Sequence, residues 1–146
     1  MSYQITRTSY QQHHEGIRSI RQRVFVDEQK IDPKLEWDDL DHDAEFFIAL
    51  NEHADIIATA RFFTDGKIGR MAVLADYRNL GIGSAMLKEI EQFAEWQSIK
   101  TLHLSAQTSA IEFYQKNGYL IEGEVYLEAG IPHQNMYKEN NAGNPA

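Results

Sequence analysis

The chain has 146 residues, 42% of them hydrophobic and 25% charged, with a formal net charge of −8 and no cysteine. A chain of this length buries roughly two-thirds of the surface its unfolded form exposes, enough for one domain with its own core, expected over 1–138. The lack of cysteine excludes a disulfide framework, a cysteine-ligated zinc or iron–sulfur centre and a cysteine nucleophile.

The charge is unevenly placed. Nine acids lie between Asp27 and Glu45 against two lysines, while the remainder of the chain is nearly neutral. No broad basic face is left for nucleic acid phosphates, and the acidic segment would attract partners of positive charge. Met1 to Gln4 lacks the basic start and apolar run of a signal peptide, and no stretch reaches the roughly 18 apolar residues of a membrane span. A cytoplasmic protein without membrane contact is expected.

Tyr3 to Thr8 alternates as a first strand. From Gln11 onward, Ile17, Ile20, Val24 and Phe25 recur at the spacing of one helix face, and Asp32-Pro33 is expected to break that helix. The acidic segment should follow as a loop with a helical turn. Phe46 to Leu50 and Ile56 to Phe63 are apolar runs joined by Asn51-Glu52-His53-Ala54, which suits a hairpin. Asp65-Gly66 then turns the chain into a third strand at Ile68 to Val73, since both residues tolerate positive φ.

Met86, Leu87, Ile90, Phe93 and Ala94 form an apolar stripe at helical spacing, followed by a short strand from Thr101 to Ser105. Ser109 to Asn117 reads as a further helix, stopped by Gly118 in the left-handed position. Tyr119 to Tyr126 and His133 to Tyr137 supply the last strands, and 139–146 a flexible tail. The fold class is α+β with a mixed sheet: an antiparallel meander, one crossover helix that creates a parallel strand pair, and about four helices in all.

Arg78-Asn79-Leu80-Gly81-Ile82-Gly83-Ser84 lies between the end of a predicted strand and the start of a predicted helix. The first turn of a helix has unpaired N–H groups and the positive end of the helix dipole, which favour an anion such as phosphate. Gly81 and Gly83 would let the backbone approach it, and Arg78 could add a charge-assisted contact. A dinucleotide fingerprint would need glycine where Met86 stands, and a P-loop would need Gly-Lys-Ser/Thr after Gly81. The glycines alone are equally compatible with a helix start that binds nothing.

Context from the second half adds to this. The run Gln107-Thr108-Ser109-Ala110-Ile111-Glu112-Phe113-Tyr114-Gln115-Lys116-Asn117-Gly118-Tyr119, together with Met71-Ala72-Val73, Tyr77-Arg78 and Gly81-Ile82-Gly83, resembles the GCN5-related N-acetyltransferase (GNAT) family. The resemblance spans Tyr3 to Lys138 in element order and is specific from Ile68 to Tyr119. Val24 to Gln29 and Gly130 to Met136 also resemble a subgroup of small bacterial members.

The resemblance implies a GNAT-like acyl-CoA N-acyltransferase fold and acetyl-CoA as co-substrate, bound along Met71, Ala72 and Val73 and by the backbone of Asn79, Leu80, Gly81, Ile82, Gly83 and Ser84. The N–H groups of that loop would cradle the pyrophosphate, main-chain groups of Met71 and Val73 would pair with pantetheine, and an N–H near Val73 would polarise the thioester carbonyl. Gln107 stands where the family usually has asparagine on the pantetheine side. Tyr114 matches the family tyrosine beside the sulfur and would act as general acid, since a phenol of pKa about 10 held against a thiolate of about 8.5 can share its proton.

An amine must be neutral to attack, so a base is needed, and Glu28, Asp41, His42, Glu45 and His133 are the candidates. His42 and His133 titrate nearest neutrality by residue type. Metal chemistry is not expected: Asp39-Leu40-Asp41-His42-Asp43 has Ala44 where a calcium loop needs glycine and Leu50 at its twelfth position, and His13-His14 are adjacent and diverge on a helix. The expected activity is direct transfer of an acetyl group from acetyl-CoA to an amine of a small molecule or peptide, with a cationic acceptor favoured by the acidic segment. The competing class is a non-catalytic acyl-CoA sensor. Self-association into a homodimer is left open.

Overall fold

The computed structural model describes residues 2–140. Its seven strands are β1 (Tyr3–Ser9), β2 (Glu45–Asn51), β3 (Ile56–Phe62), β4 (Lys67–Val73), β5 (Thr101–Gln107), β6 (Leu120–Glu128) and β7 (Ile131–Glu139). They form one sheet in the order β1-β2-β3-β4-β5-β7-β6. The first four make the expected antiparallel meander. The helix α3 (Ile82–Trp96) then crosses over and sets β5 parallel to β4.

Alternation along β2 decides what covers each face. Phe47 and Ala49 join Met86, Leu87 and Ile90 of α3 in the main core, whereas Phe46 and Ile48 pack with Tyr10 and Ile17 of α1 (Tyr10–Arg21) on the other face. Phe47, Phe62 and Phe93 meet edge to face with centroids 5.9 to 6.5 Å apart. Gly118, at φ +92, ends α4 (Ile111–Lys116) as its position predicted.

The structure departs from the sequence pattern at three points. After Arg21 the helix widens to π-helical bonding over Gln22–Glu28, which brings the neighbours Val24 and Phe25 together onto the buried face with Ile20 and Ala72. Asp32-Pro33 starts a helix rather than breaking one, because the helical run has already ended at Glu28. The Asp32 carboxylate accepts from Lys34 N at 2.9 Å, and Pro33 takes the first position of α2 (Pro33–Glu36), where its missing N–H costs nothing. At the C-terminus, Glu139 pairs with Thr101 and Asn140 N donates to Lys100 O at 2.7 Å, so ordered pairing runs past 138; residues 141–146 of the expected tail lie outside the described residues.

The acidic segment is largely neutralised from within. Arg21, fully buried, donates to Glu36 at 2.5 Å and Asp41 at 2.7 Å. Arg61 binds Asp38 through two nitrogens at 2.8 Å and reaches Asp41 at 3.0 Å, while Arg70 lies 3.1 Å from both Glu36 and Asp38. Arg7 holds Glu45 and Arg78 holds Glu28, each at 2.6 Å. Five of the nine acids therefore have arginine partners, and the segment projects less negative potential than its composition suggests. The guanidinium groups of Arg18 and Arg21 also cover the Trp37 ring at 4.2 and 5.0 Å.

Burial pushes the Glu36 carboxyl above its ordinary range despite Arg21 and Arg70. Burial acts in the same direction on Asp38, but hydrogen bonds and charge from Arg61, with help from Leu40 N–H and Arg70, outweigh it and hold the pKa at about 2. Two expectations follow. Arg21→Met leaves two buried carboxylates short of a partner and should cost roughly 3–5 kcal/mol in urea denaturation. Asp38, depressed from 3.8 to about 2, contributes stability that is complete above about pH 4 and lost as pH falls toward 2, so Asp38→Asn should flatten that part of the stability–pH curve.

Candidate active site

β4 and β5 are paired only at Lys67↔His103 and Ile68↔Leu104; beyond these the two strands part. The cause is visible in β4. Between the pairs Arg61↔Gly69 and Thr59↔Ala72 its register against β3 slips, and Arg70 takes φ +46, a left-handed value that a side-chain-bearing residue adopts only under constraint. Arg70 is held there by Glu36 and Asp38. From Gly69 to Val73 the β5-facing edge of β4 is therefore unpaired, as is the β4-facing edge of β5 from Ser105 to Gln107. An extended ligand can enter such a split as an added strand.

The loop after β4 delivers the start of α3 to this opening. Asn79 at φ +64 and Gly81 at φ +84 both take left-handed backbone, and Gly81 caps α3 without any side-chain bond. The first helical bond is Ala85 N to Gly81 O at 3.0 Å, so the N–H groups of Ile82, Gly83 and Ser84 have no acceptor among the described residues. These are the unpaired donors that suit an anion. Ala72 and Ile82 are core residues, exposed by 3% and 1%, so they can offer a ligand only their main chain.

The two glycines have different reasons. Gly81 needs its left-handed φ, and a Cβ there would meet nothing within 4 Å. At Gly83 a Cβ would stand 2.9 Å from Phe113 Cζ, so this glycine permits α3 and α4 to touch rather than a ligand to approach. Asn117 reinforces the contact by donating to Ser84 Oγ at 3.1 Å.

Tyr114, on α4, reaches over β4 to the Met71 sulfur at 3.9 Å, which puts its hydroxyl beside the split. Desolvation raises its pKa to about 12, so the phenol keeps its proton throughout the neutral range. Gln107 at the end of β5 donates to Gln29 Oε1 at 2.7 Å. Gln29 is the residue that ends the π-helical segment, so this bond ties the segment to β5. Arg78 is engaged: it binds Glu28 through both terminal nitrogens at 2.6 and 2.8 Å and donates from Nε to Val73 O at 2.9 Å. Glu28 and Gln29 thus fasten the π-helical segment to both sides of the split. The resemblance over Val24 to Gln29 marks the segment but gives Gln29 no partner, because that partner lies 78 positions away.

The candidate bases separate. Hydrogen bonds from Arg78 hold Glu28 below the usual carboxylate range, which makes it a poor proton acceptor. Asp41 is buried between Arg21 and Arg61, and Glu45 is paired with Arg7. His42 is exposed and packs edge-on against Tyr10, 5.2 Å between centroids, on the α1 side of the β1–β2 end of the sheet. His133 is opposite Gln107 in the β5–β7 register, at the open end of the cleft. Its Nδ1–H donates to Ile131 O at 2.7 Å, which leaves Nε2 as the basic nitrogen, 3.5 Å from Glu128 Oε2.

The glycine pair yields a test. Gly83→Ala should cost about 1–3 kcal/mol by forcing α3 from α4, and Phe113→Leu should recover part of it. Gly81→Ala should cost about 1–2 kcal/mol through its backbone alone and gain nothing from Phe113→Leu. Urea denaturation of the double-mutant cycle reads the difference.

The comparisons agree with this geometry. The family described as acetyltransferase (GNAT) domain matches residues 8–140. YjcF, an uncharacterized N-acetyltransferase of Bacillus subtilis (strain 168), is 34% identical over 123 residues, or 82% of this chain and 88% of that one. The crystal structure of an acyl-CoA N-acyltransferase from Pseudomonas aeruginosa is similar with TM-score 0.82 and 29% identity, over 94% of this chain and 99% of that one. A Bacillus anthracis protein solved in complex with acetyl coenzyme A shares the fold over 66% of this chain and 62% of its own, with TM-score 0.58 and 23% identity. A chain whose split sheet and uncapped helix start coincide with a family match across nearly its whole length belongs to the GNAT family of N-acetyltransferases.

Proposed function

We propose that the protein transfers an acetyl group from acetyl-CoA to an amine by direct attack while both are bound. The observation that carries this reading is the split between β4 and β5, whose unpaired edges lead to the free N–H groups at Ile82 to Ser84. A pantetheine arm carries two amides that suit the strand edges, and a pyrophosphate suits the helix start. The loop amides from Asn79 to Ser84 hold the pyrophosphate, main chain at Met71 and Val73 holds the arm, and Gln107 meets it from the β5 side. The acetyl-CoA found with the Bacillus anthracis neighbour supports the choice of donor.

In the transfer, the amine nitrogen forms a bond to the thioester carbon and the C–S electron pair leaves on sulfur. Full protonation of a thiolate of pKa about 8.5 by a phenol of about 12 is uphill by roughly 5 kcal/mol, so Tyr114 stabilises the departing sulfur chiefly as a hydrogen-bond donor. His133 Nε2 takes the nitrogen's proton, and a proton taken there meets the Glu128 carboxylate. The thiolate leaves hydrogen-bonded to Tyr114 and takes a proton from water, His133 returns its proton to water, and the net change is one proton moved from nitrogen to sulfur.

Thiol release from acetyl-CoA against a panel of amines tests the reading. Tyr114→Phe should lower kcat about 100-fold and leave acetyl-CoA stabilisation in a thermal shift unchanged. His133→Gln should lower kcat about 100-fold, and the loss should persist when the assay pH passes the pKa of the amine, because the base takes the proton that attack leaves on nitrogen. Stabilisation by CoA with no turnover on any amine would make the protein a sensor instead.

A further inference from the structure

Ser105 is the first residue of β5 beyond the last pair with β4. Leu102, Leu104 and Ala106 are buried in the main core, so Ser105 projects from the opposite face, which the π-helical segment borders and Tyr114 does not. It is opposite Asn135 on β7. Tyr126 of β6 joins the two: its hydroxyl donates to Asn135 Oδ1 at 2.7 Å and contacts Ser105 Oγ. A bulge brings it there. Between the pairs Glu122↔Asn135 and Tyr126↔His133, β6 spends four residue steps against two on β7, and Gln134 Nε2 pins the excess by donating to Glu122 O and Gly123 O at 3.0 and 2.8 Å.

The polarity of this chain of hydroxyls is determined by its far end. Asn135 Oδ1 can only accept, so the single phenolic proton of Tyr126 is spent on it. The phenolic oxygen must then receive the Ser105 proton. That leaves Ser105 Oγ at the cleft with lone pairs and no proton to offer, and no group among the described residues donates to it. The three residues are uncharged, so the site suits a neutral N–H donor.

We propose that Ser105, oriented by Tyr126 and Asn135, binds the acceptor nitrogen and restricts the acceptor to primary amines. This inference rests on the amine-transfer reading. A neutral primary amine has a lone pair for attack and two N–H groups: one proton goes to the base, and the other remains on the product amide, hydrogen-bonded to Ser105 Oγ. A secondary amine has one N–H, which the base must take, so its alkyl group faces the serine oxygen and leaves it unpaired. A site that hydrogen-bonds an N–H rejects an analogue lacking it far more strongly than steric fit alone.

The test pairs glycylglycine with sarcosylglycine, and benzylamine with N-methylbenzylamine, as acceptors with saturating acetyl-CoA. The wild-type protein should prefer the primary amine of each pair by about 100-fold in kcat/KM, and Ser105→Ala should reduce that preference to less than about 10-fold. Ser105→Thr, which keeps the hydroxyl, should retain it. Tyr126→Phe keeps the ring against His133 and frees the serine proton, so it should also lower the preference, while the acetyl-CoA thermal shift of every variant stays at the wild-type value. A preference identical in wild type, Ser105→Ala and Tyr126→Phe overturns the assignment and leaves acetyl transfer standing. No turnover of any amine by the wild type overturns acetyl transfer and this assignment with it.

Discussion

Arg70 held at a left-handed backbone angle is the constraint on which the site depends. Its φ of +46 interrupts the β3–β4 ladder, and β4 parts from β5 one residue earlier, at Gly69. A single residue of this kind costs on the order of 1–3 kcal/mol, which persists only where surrounding structure over-determines it. Glu36 and Asp38 supply that determination, and they in turn are held by Arg21 and Arg61. The buried ion network is thus more than a solution to charge burial: it fixes the bulge that keeps the sheet open.

The same network changes the electrostatic picture. An acidic chain meeting a polyphosphate would face repulsion if its acids were free. Five of the nine acids in the dense segment are instead paired with arginines, and the donors at the start of α3 are backbone N–H groups that carry no net charge. Anion binding by such groups depends on their fixed orientation rather than on the protein's sum of charges. The cost is that Arg78, which its place in the loop would assign to phosphate, is tied to Glu28 and Val73 O.

Much of the fold was legible because its signals are local. Alternation locates β1, apolar runs locate β2 and β3, the Asp65-Gly66 turn locates the meander's last reversal and β4 after it, and the stripe from Met86 to Ala94 locates α3. Asp32-Pro33 is ambiguous along the chain because proline ends a helix from within yet begins one at its first position, and the choice depends on where the preceding helix has already stopped. The loop at 78–84 was legible as a helix start after a strand, but the reason for Gly83 was not, since Phe113 approaches it from another helix.

The order of elements, the mixed sheet with one parallel pair and the phosphate-suited helix start are written in the sequence, because each follows from neighbours within a few residues, whereas the role of Tyr114 rests on the resemblance to the family. Which polar side chains are free to do chemistry depends on the packing of segments far apart in the chain. Glu28, Asp41 and Glu45 stand beside His133 as candidate bases along the chain, and the partners that remove them lie 20 to 50 positions away. The pairings Gln29–Gln107 and Ser105–Tyr126–Asn135 arise in the same way, from strand register and a bulge that bring distant residues side by side. A hydrogen bond is short-ranged, so composition can state how many acids and amides a chain has but not which of them have already been satisfied.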